Sequence, residues 1–212
     1  MPSQTHMAMV AMQDAGLLKH VISQNVDGLH RKSGILRQNI SELHGNTYLE
    51  QCKKCGSDFL RDFKVRVKTN KFEHQTGRFC VKCQAELFDS IINFGEPLNF
   101  DIYATAEQHA DNSDICLCMG TSMRVEPACS LPLRPTASGG KMVICNLQKT
   151  IKDDMANLVI HAKCDDMIEL LMKKLQIEIP KFKLQRWIEV ELIDSKTPGE
   201  QDLVVKGIDS QG

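Results

Sequence analysis

No apolar run in the 212 residues approaches the roughly 20 that a membrane-crossing helix needs, and the N-terminus lacks a charged-then-apolar signal pattern. Net charge is missing too. With 26 Lys+Arg against 27 Asp+Glu the formal charge is −1, which excludes a global basic footprint for nucleic acid. A glycine-rich phosphate loop is absent as well; Gly139-Gly140 reads as a turn before a strand, with no helix behind it. What remains is a globular balance of 42% apolar and 25% charged residues, enough for one ordinary domain plus a small insert.

Cysteine is what the chain does have. Cys52-Lys-Lys-Cys55 and Cys80-Val-Lys-Cys83 form two matched C-x-x-C knuckles. Together they read as one closed Cys₄ zinc site, structural because four thiolates leave no position for water or substrate. A thioredoxin-like pair needs a single C-x-x-C at a helix start and fits less well. His74 is a substitute ligand that four thiolates make unnecessary. The other five cysteines (116, 118, 129, 145, 164) mostly sit among apolar neighbours and suit a reducing compartment, cytosolic or nuclear. Cys116 and Cys118 are expected on one face of a strand.

Between Arg61 and Lys82 lie seven basic residues (61, 64, 66, 68, 71, 78, 82) against the two acids Asp62 and Glu73. Phe63 to Lys68 alternates apolar and basic, which predicts a strand with one buried and one cationic face. Two readings stand: a solvated outer face, which such runs usually are, or a basic patch on the zinc module that meets chromatin.

Elsewhere short apolar strands alternate with helical stretches, the pattern of a parallel α/β sheet. Gln4 to Ala15 predicts a helix stopped by Gly16. Strands are expected at His20–Ser23, Ser90–Phe94, Ile115–Met119, Met142–Cys145 and Leu158–Ile160. A last helix follows Cys164-Asp165-Asp166, its aspartates matched to the helix dipole and Met167, Ile168, Leu171 and Leu175 on one side. Pro132–Gly140 and the segment from Pro180 onward read as connection and tail. The expected divisions are 1–50 and 90–180 for two parts of a Rossmann-like layer, 51–89 for the zinc module and 181–212 for the tail.

Several strands end in small or amide-bearing residues, and in open parallel sheets ligands bind beyond the carboxyl ends of strands. Gly120 permits close backbone approach, and Thr121 and Ser122 can bond phosphate or ribose oxygens. Asn146 and Gln148 suit ribose hydroxyls, while Gln24, Asn25 and Asp27 suit an uncharged carboxamide ring. Each alone is most often a turn or a cap. Three on one edge point to a nucleotide-sized crevice.

Ser23-Gln24-Asn25-Val26-Asp27-Gly28-Leu29-His30, Glu42-Leu43-His44-Gly45-Asn46, the Cys₄ insert, Phe94-Gly95-Glu96, Gly120-Thr121-Ser122 and Asn146-Leu147-Gln148 follow the sirtuin order. The chain therefore resembles the sirtuin family over about residues 1–180. Ile115–Ser122 and Lys152-Asp153-Asp154 look most like its nuclear class IV branch, and Gln75–Arg78 with Ile92–Glu96 like the sirtuin-seven type within it. The resemblance implies an NAD-dependent protein deacylase. The acyl-lysine oxygen attacks the ribose carbon as nicotinamide leaves, and a histidine then activates a ribose hydroxyl for acyl transfer. His44 matches that base. Gln24, Asn25, Val26 and Asp27 match nicotinamide and ribose contacts; Gly120, Thr121, Ser122, Asn146, Leu147, Gln148 and Cys164 match contacts to the rest of NAD. Cys52, Cys55, Cys80 and Cys83 match the family's zinc ligands. Phe94-Gly95-Glu96 and Val125-Glu126-Pro127 match loops that clamp an acylated peptide, such as a histone tail, as an added strand.

The departure is at the start. A complete sirtuin opens with a βα unit whose Gly-Ala-Gly turn cradles pyrophosphate, whereas Met1–His6 already corresponds to a later helix. The expected fold is thus α/β, a partial doubly wound Rossmann-like sheet missing its first strand, with the Cys₄ insert, in an N-terminally truncated sirtuin. The alternative to a deacylase is a non-catalytic, zinc-stabilised interaction module.

Overall fold

A computed structural model describes residues 1–67, 70, 72–184, 187–194 and 201–208. In chain order the elements are α1 (Gln4–Asp14), β1 (Val21–Ser23), α2 (Leu29–Ser33), β2 (Ile40–Glu42), β3 (Leu49–Gln51), β4 (Asp58–Leu60), β5 (Gln75–Phe79) and β6 (Glu86–Asp89). They continue with α3 (Phe100–Asp111), β7 (Ile115–Met119), α4 (Arg134–Ala137), β8 (Lys141–Cys145), β9 (Leu158–Ile160), α5 (Cys164–Leu175), β10 (Trp187–Asp194) and β11 (Gln201–Ile208). Among the described residues no helix is long and apolar enough to cross a membrane.

The parallel strands form two groups. β1 pairs with β2, Val21 opposite Ile40, and β7, β8 and β9 form a second parallel set with Ile115 opposite Lys141 and Val143 opposite Leu158. Neither β1 nor β7 has a ladder partner on its other side among the described residues. Met119 bridges the groups through side chains: at the end of β7 it packs against the cluster of Met9, Val21 and Ile35, and also against that of Ala8, Ile168 and Met172. The second cluster joins α1 to α5, where Asp165 takes bonds from the Thr5 N–H and hydroxyl and from Ser3. On α5 the buried residues are Ile168 and Met172, with Leu175 exposed.

The zinc module is an antiparallel sheet ordered β4-β3-β6-β5. Among the described residues its apolar cluster holds Cys52, Cys80 and Leu87, flanked by Phe59, Cys83 and Ala85. So small a core cannot hold some 40 residues unaided. Polar ties supplement it. Glu50, fully buried on β3, receives Arg61 Nε at 2.7 Å and Arg78 Nε at 2.5 Å. Burial pushes the Glu50 carboxyl up, but hydrogen bonds from Thr76, Arg61 and Arg78 outweigh it and hold the group below its ordinary range. Arg78 also donates to the Val65 carbonyl and lies over the Phe63 ring. Arg78→Ala should lower stability by about 3 kcal/mol, since it strips a partner from a buried charge; a thermal melt unchanged from wild type would contradict this.

Three expectations from the sequence need correction. Phe63–Val67 is not a strand: only Val65 is buried, its N–H bonded to the Thr47 carbonyl, while Phe63 and Val67 are exposed. Lys68 and Lys71 lie outside the described residues. Of the other basic residues in the run, Arg61 and Arg78 turn inward to Glu50 and Arg66 lies 3.7 Å from buried Asp89, leaving Lys64 and Lys82 exposed. Second, Ser90–Phe94 is loop, with β6 ending at Asp89. Third, Pro132–Gly140 is largely helical: a 3-10 stretch Ala128–Leu133 leads directly into α4. In the tail, β10 and β11 pair antiparallel, Trp187 opposite Ile208.

Candidate functional site

Parallel pairing of β1 with β2 brings two polar segments side by side at their carboxyl ends. Leu43 N–H bonds the Ser23 carbonyl and Thr47 N–H the Val26 carbonyl, so Gln24–Asp27 and His44 share one edge. His44 Nδ1 lies 3.0 Å from the Gln24 carbonyl. A carbonyl only accepts, so Nδ1 carries the hydrogen and Nε2 is left as the lone-pair nitrogen of the neutral ring.

The turn that presents His44 is locked from below. Gly45 has φ +80°, and a Cβ there would stand 1.9 Å from the Ser90 carbonyl oxygen, so no other residue fits. Buried Asn46 donates to Glu42 at 2.7 Å, accepts from the Tyr48 N–H, and exchanges backbone bonds with the Ser90 hydroxyl. Burial raises the Glu42 pKa, with Arg31 at 3.9 Å and Asn46 opposing the shift.

A cleft of about 620 Å³ opens above this turn. Gln24, Val26 and His44 form its base, the loop from Ile92 to Leu98 one wall, Val125-Glu126-Pro127 another, and Phe100 and Tyr103 of α3 a third. Ile92 N–H bonds the His44 carbonyl and ties the wall to the base. The Val125–Pro127 wall is braced by Ser130, which donates to Glu126 at 2.7 Å, and by the buried Lys152 Nζ, 4.0 Å from the same carboxylate. Both loops singled out in the sequence line the cleft. Phe100 and Tyr103 were missed; only their place at the start of an amphipathic helix hints at them.

Asn25 and Asp27 belong to the same segment but do not line the cleft. Asn25 bonds Ser23 through its N–H, and Asp27 accepts the N–H of Leu29, the first residue of α2, at 3.0 Å. The second predicted set gathers at the carboxyl ends of β7 and β8. Gly120 N–H bonds the Cys145 carbonyl, and a Cβ on Gly120 would stand 3.8 Å from Cys164 Sγ at the start of α5. Thr121 accepts the Met123 N–H, Asn146 donates to the Gln148 carbonyl, and Ser122 and Leu147 are exposed. These residues form a separate edge and do not line the cleft.

The four cysteines of the insert come together. Cys52 and Cys83 sulfurs are 3.4 Å apart, Cys55 and Cys80 3.6 Å, and all four lie within 4.8 Å of one another. Sulfurs about 2.3 Å from a tetrahedral zinc stand about 3.8 Å apart, so the donor set fits. Both knuckles use the same turn. Gly56 follows Cys55 at φ +69° and Gln84 follows Cys83 at φ +60°, and each N–H bonds back to the carbonyl of its knuckle's first cysteine. His74 is not part of the set; its ring nitrogens face Asp89 and Glu96.

Residues 1–127 match a family model described as the Sir2 family. A curated relative, "NAD-dependent protein deacetylase SRT1" of Arabidopsis thaliana, is 47% identical over 86% of this chain and 38% of its own length. "NAD-dependent protein deacetylase sirtuin-7" of Homo sapiens is 43% identical over 88% of this chain and 48% of its own. The chain thus spans about half or less of the length of these curated relatives. Among solved structures, "Sir2 bound to acetylated peptide" superposes with a TM-score of 0.67 at 29% identity, covering 84% of this chain and 72% of that one. A Sir2 homologue–NAD complex gives 0.68 at 28% identity, covering 82% and 67%.

Proposed function

The chain belongs to the Sir2 family, and from that premise we propose that it supplies the acyl-lysine and ribose side of an NAD-dependent protein-lysine deacylase. The observation that carries this reading is the cleft itself, in which His44 and Gln24 lie beneath two loops that can clamp an extended peptide. Bound NAD would supply an electrophilic ribose carbon and a hydroxyl to receive the acyl group.

The chain's own groups have distinct tasks. His44, with Nδ1 held by the Gln24 carbonyl, accepts a proton at Nε2. Gln24, Asn25, Val26 and Asp27 recognise the carboxamide ring and its ribose. Gly120, Thr121, Ser122, Asn146, Leu147, Gln148 and Cys164 hold the remainder of the dinucleotide. The apolar walls, Ile92, Leu98, Phe100, Tyr103 and Val125, exclude water from the acyl chain. Cys52, Cys55, Cys80 and Cys83 hold a structural zinc that fixes the base of the Asn93–Leu98 loop.

Calorimetry of the 212-residue chain against matched peptides tests the reading: an acetyl-lysine peptide should bind and its unmodified counterpart should not. Equal binding of both, or of neither, would remove the peptide assignment. A second reading, a zinc-stabilised interaction module without turnover, is favoured by one feature. The predicted dinucleotide residues of β7 and β8 stand apart from the cleft, and no glycine-rich turn accompanies them in these 212 residues.

We place the substrates among nuclear proteins, with histone tails as the first class to test. Among the described residues of the run, contact with chromatin would fall to Lys64 and Lys82, because Arg61, Arg66 and Arg78 face buried carboxylates. Changing both lysines to alanine should reduce the salt slope of nucleosome binding by about 2, at about one counterion per phosphate contact. An unchanged slope returns Lys64 and Lys82 to a solvated face.

A further inference from the structure

His74 takes no part in the metal set or the cleft lining, yet carboxylates face both its ring nitrogens. Nδ1 lies 3.0 Å from Asp89 Oδ1 and Nε2 lies 2.8 Å from Glu96 Oε1. A neutral imidazole has one N–H, so in that form one nitrogen lone pair would confront a carboxylate oxygen at hydrogen-bond distance. Only the imidazolium donates to both. The surroundings are dry enough for this to matter: the His74 side chain is 19% exposed and that of Asp89 1%.

The two carboxylates belong to different parts of the molecule. Asp89 ends β6 inside the zinc module, where its N–H bonds the His74 carbonyl and its Oδ1 also accepts the Ile91 N–H. Glu96 sits in the irregular loop that forms one wall of the cleft. Its second oxygen accepts both the backbone N–H of Asn93, at 2.6 Å, and the Asn93 side-chain amide, at 2.7 Å. Asn93 in turn accepts from Arg66, whose Nε lies 3.7 Å from Asp89. A polar chain therefore runs from the rigid antiparallel sheet through His74 to the lip of the cleft. Asp89, Glu96 and, through Asp89, Arg66 are the charged groups that face the ring.

We propose that His74, as an imidazolium, is a positioning residue that clamps the Asn93–Glu96 lip to the zinc module and so makes peptide binding in the cleft pH-dependent. This rests on the peptide reading of that cleft. Burial works against the charge on His74, but hydrogen bonds to Asp89 and Glu96 outweigh it and raise the pKa above 6.5. Glu96 is held down to about 2, first by the Asn93 N–H and then by His74, so it stays anionic throughout. The sign follows. A raised pKa means that the clamp is complete below pH 6.5 and is lost as pH rises through the folded-state value.

Two readouts on the 212-residue chain test this. Imidazole nitrogen NMR should show His74 protonated on both nitrogens at pH 6.5 and titrating only above it. Amide exchange at residues 93–96 should quicken as pH climbs through its titration, beyond the intrinsic base-catalysed rise. In His74→Gln the lip should exchange fast at every pH while zinc content stays at wild type. Affinity for an acetyl-lysine peptide should fall about tenfold below pH 6.5 and lose its pH dependence, the loss expected from one charge-assisted hydrogen bond. Glu96→Gln, which leaves His74 on Asp89, should give the same fast lip should the first variant fold poorly. A His74 already neutral at pH 6.5, or lip exchange that ignores both substitutions, overturns the proposal. If the lip responds as stated while wild type binds no acetyl-lysine peptide, the clamp stands and the peptide assignment falls.

Discussion

Cys80→Ser should strip the metal from the insert and unfold it. Cys80 is fully buried at the centre of the module's cluster, and its sulfur sits 3.6 Å from that of Cys55. Structural zinc contributes on the order of 10–16 kcal/mol in small metal-folded domains, far more than a cluster of three buried residues can replace. Metal analysis should fall from one zinc per chain to near none, and amide protection should vanish across β3 to β6. Because Asp89 and His74 belong to that module, the Asn93–Glu96 lip should lose protection with it. Zinc retained at one per chain in the variant would show that the four thiolates are not the ligand set.

His44→Ala should cost about 10²–10⁴-fold in acyl transfer, the usual loss on removing a positioned general base. The assay needs a pyrophosphate cradle, so the 212 residues are joined behind a βα unit carrying a Gly-Ala-Gly turn. Peptide affinity should change little, because His44 contributes a small part of a cleft walled mainly by Ile92–Leu98, Phe100 and Tyr103. His44→Gln, which cannot accept a proton in the same way, should be equally impaired. Turnover within a fewfold of wild type in either variant would remove His44 from the chemistry.

What the sequence reveals of this fold depends on how local each determinant is. The knuckles are legible because two cysteines and one left-handed residue fit inside five positions, whatever surrounds them. β7, β8 and β9 are legible because their apolar runs are short and bounded by Gly120, Asn146 and His161. Phe63–Lys68 alternates as a strand does, yet its Arg66 answers to Asp89, and Arg61 and Arg78 on either side of it answer to Glu50, partners that periodicity cannot see. Ser90 and Ile91 look like strand residues, but their backbone lies against Gly45 at a distance no side chain there would tolerate, and Ile92 bonds His44 instead of a ladder neighbour. α3 also reaches the cleft from far along the chain, so the local sequence marks Phe100 and Tyr103 only by their place at the start of an amphipathic helix. The sequence singles out His44 only through its Leu-His-Gly-Asn setting. Among seven histidines, burial and hydrogen bonding distinguish it only once Gln24 is beside it.

The stoichiometry of products tests the central claim most directly. The fused protein is given NAD and an acetyl-lysine peptide, and nicotinamide, free acetate and acetylated ADP-ribose are counted together by mass spectrometry. The account predicts one nicotinamide and one acetylated ADP-ribose for each lysine freed, with no loss of acetyl groups when NAD is omitted. Acetate released without NAD, or nicotinamide formed at the same rate without acetylated peptide, would contradict it.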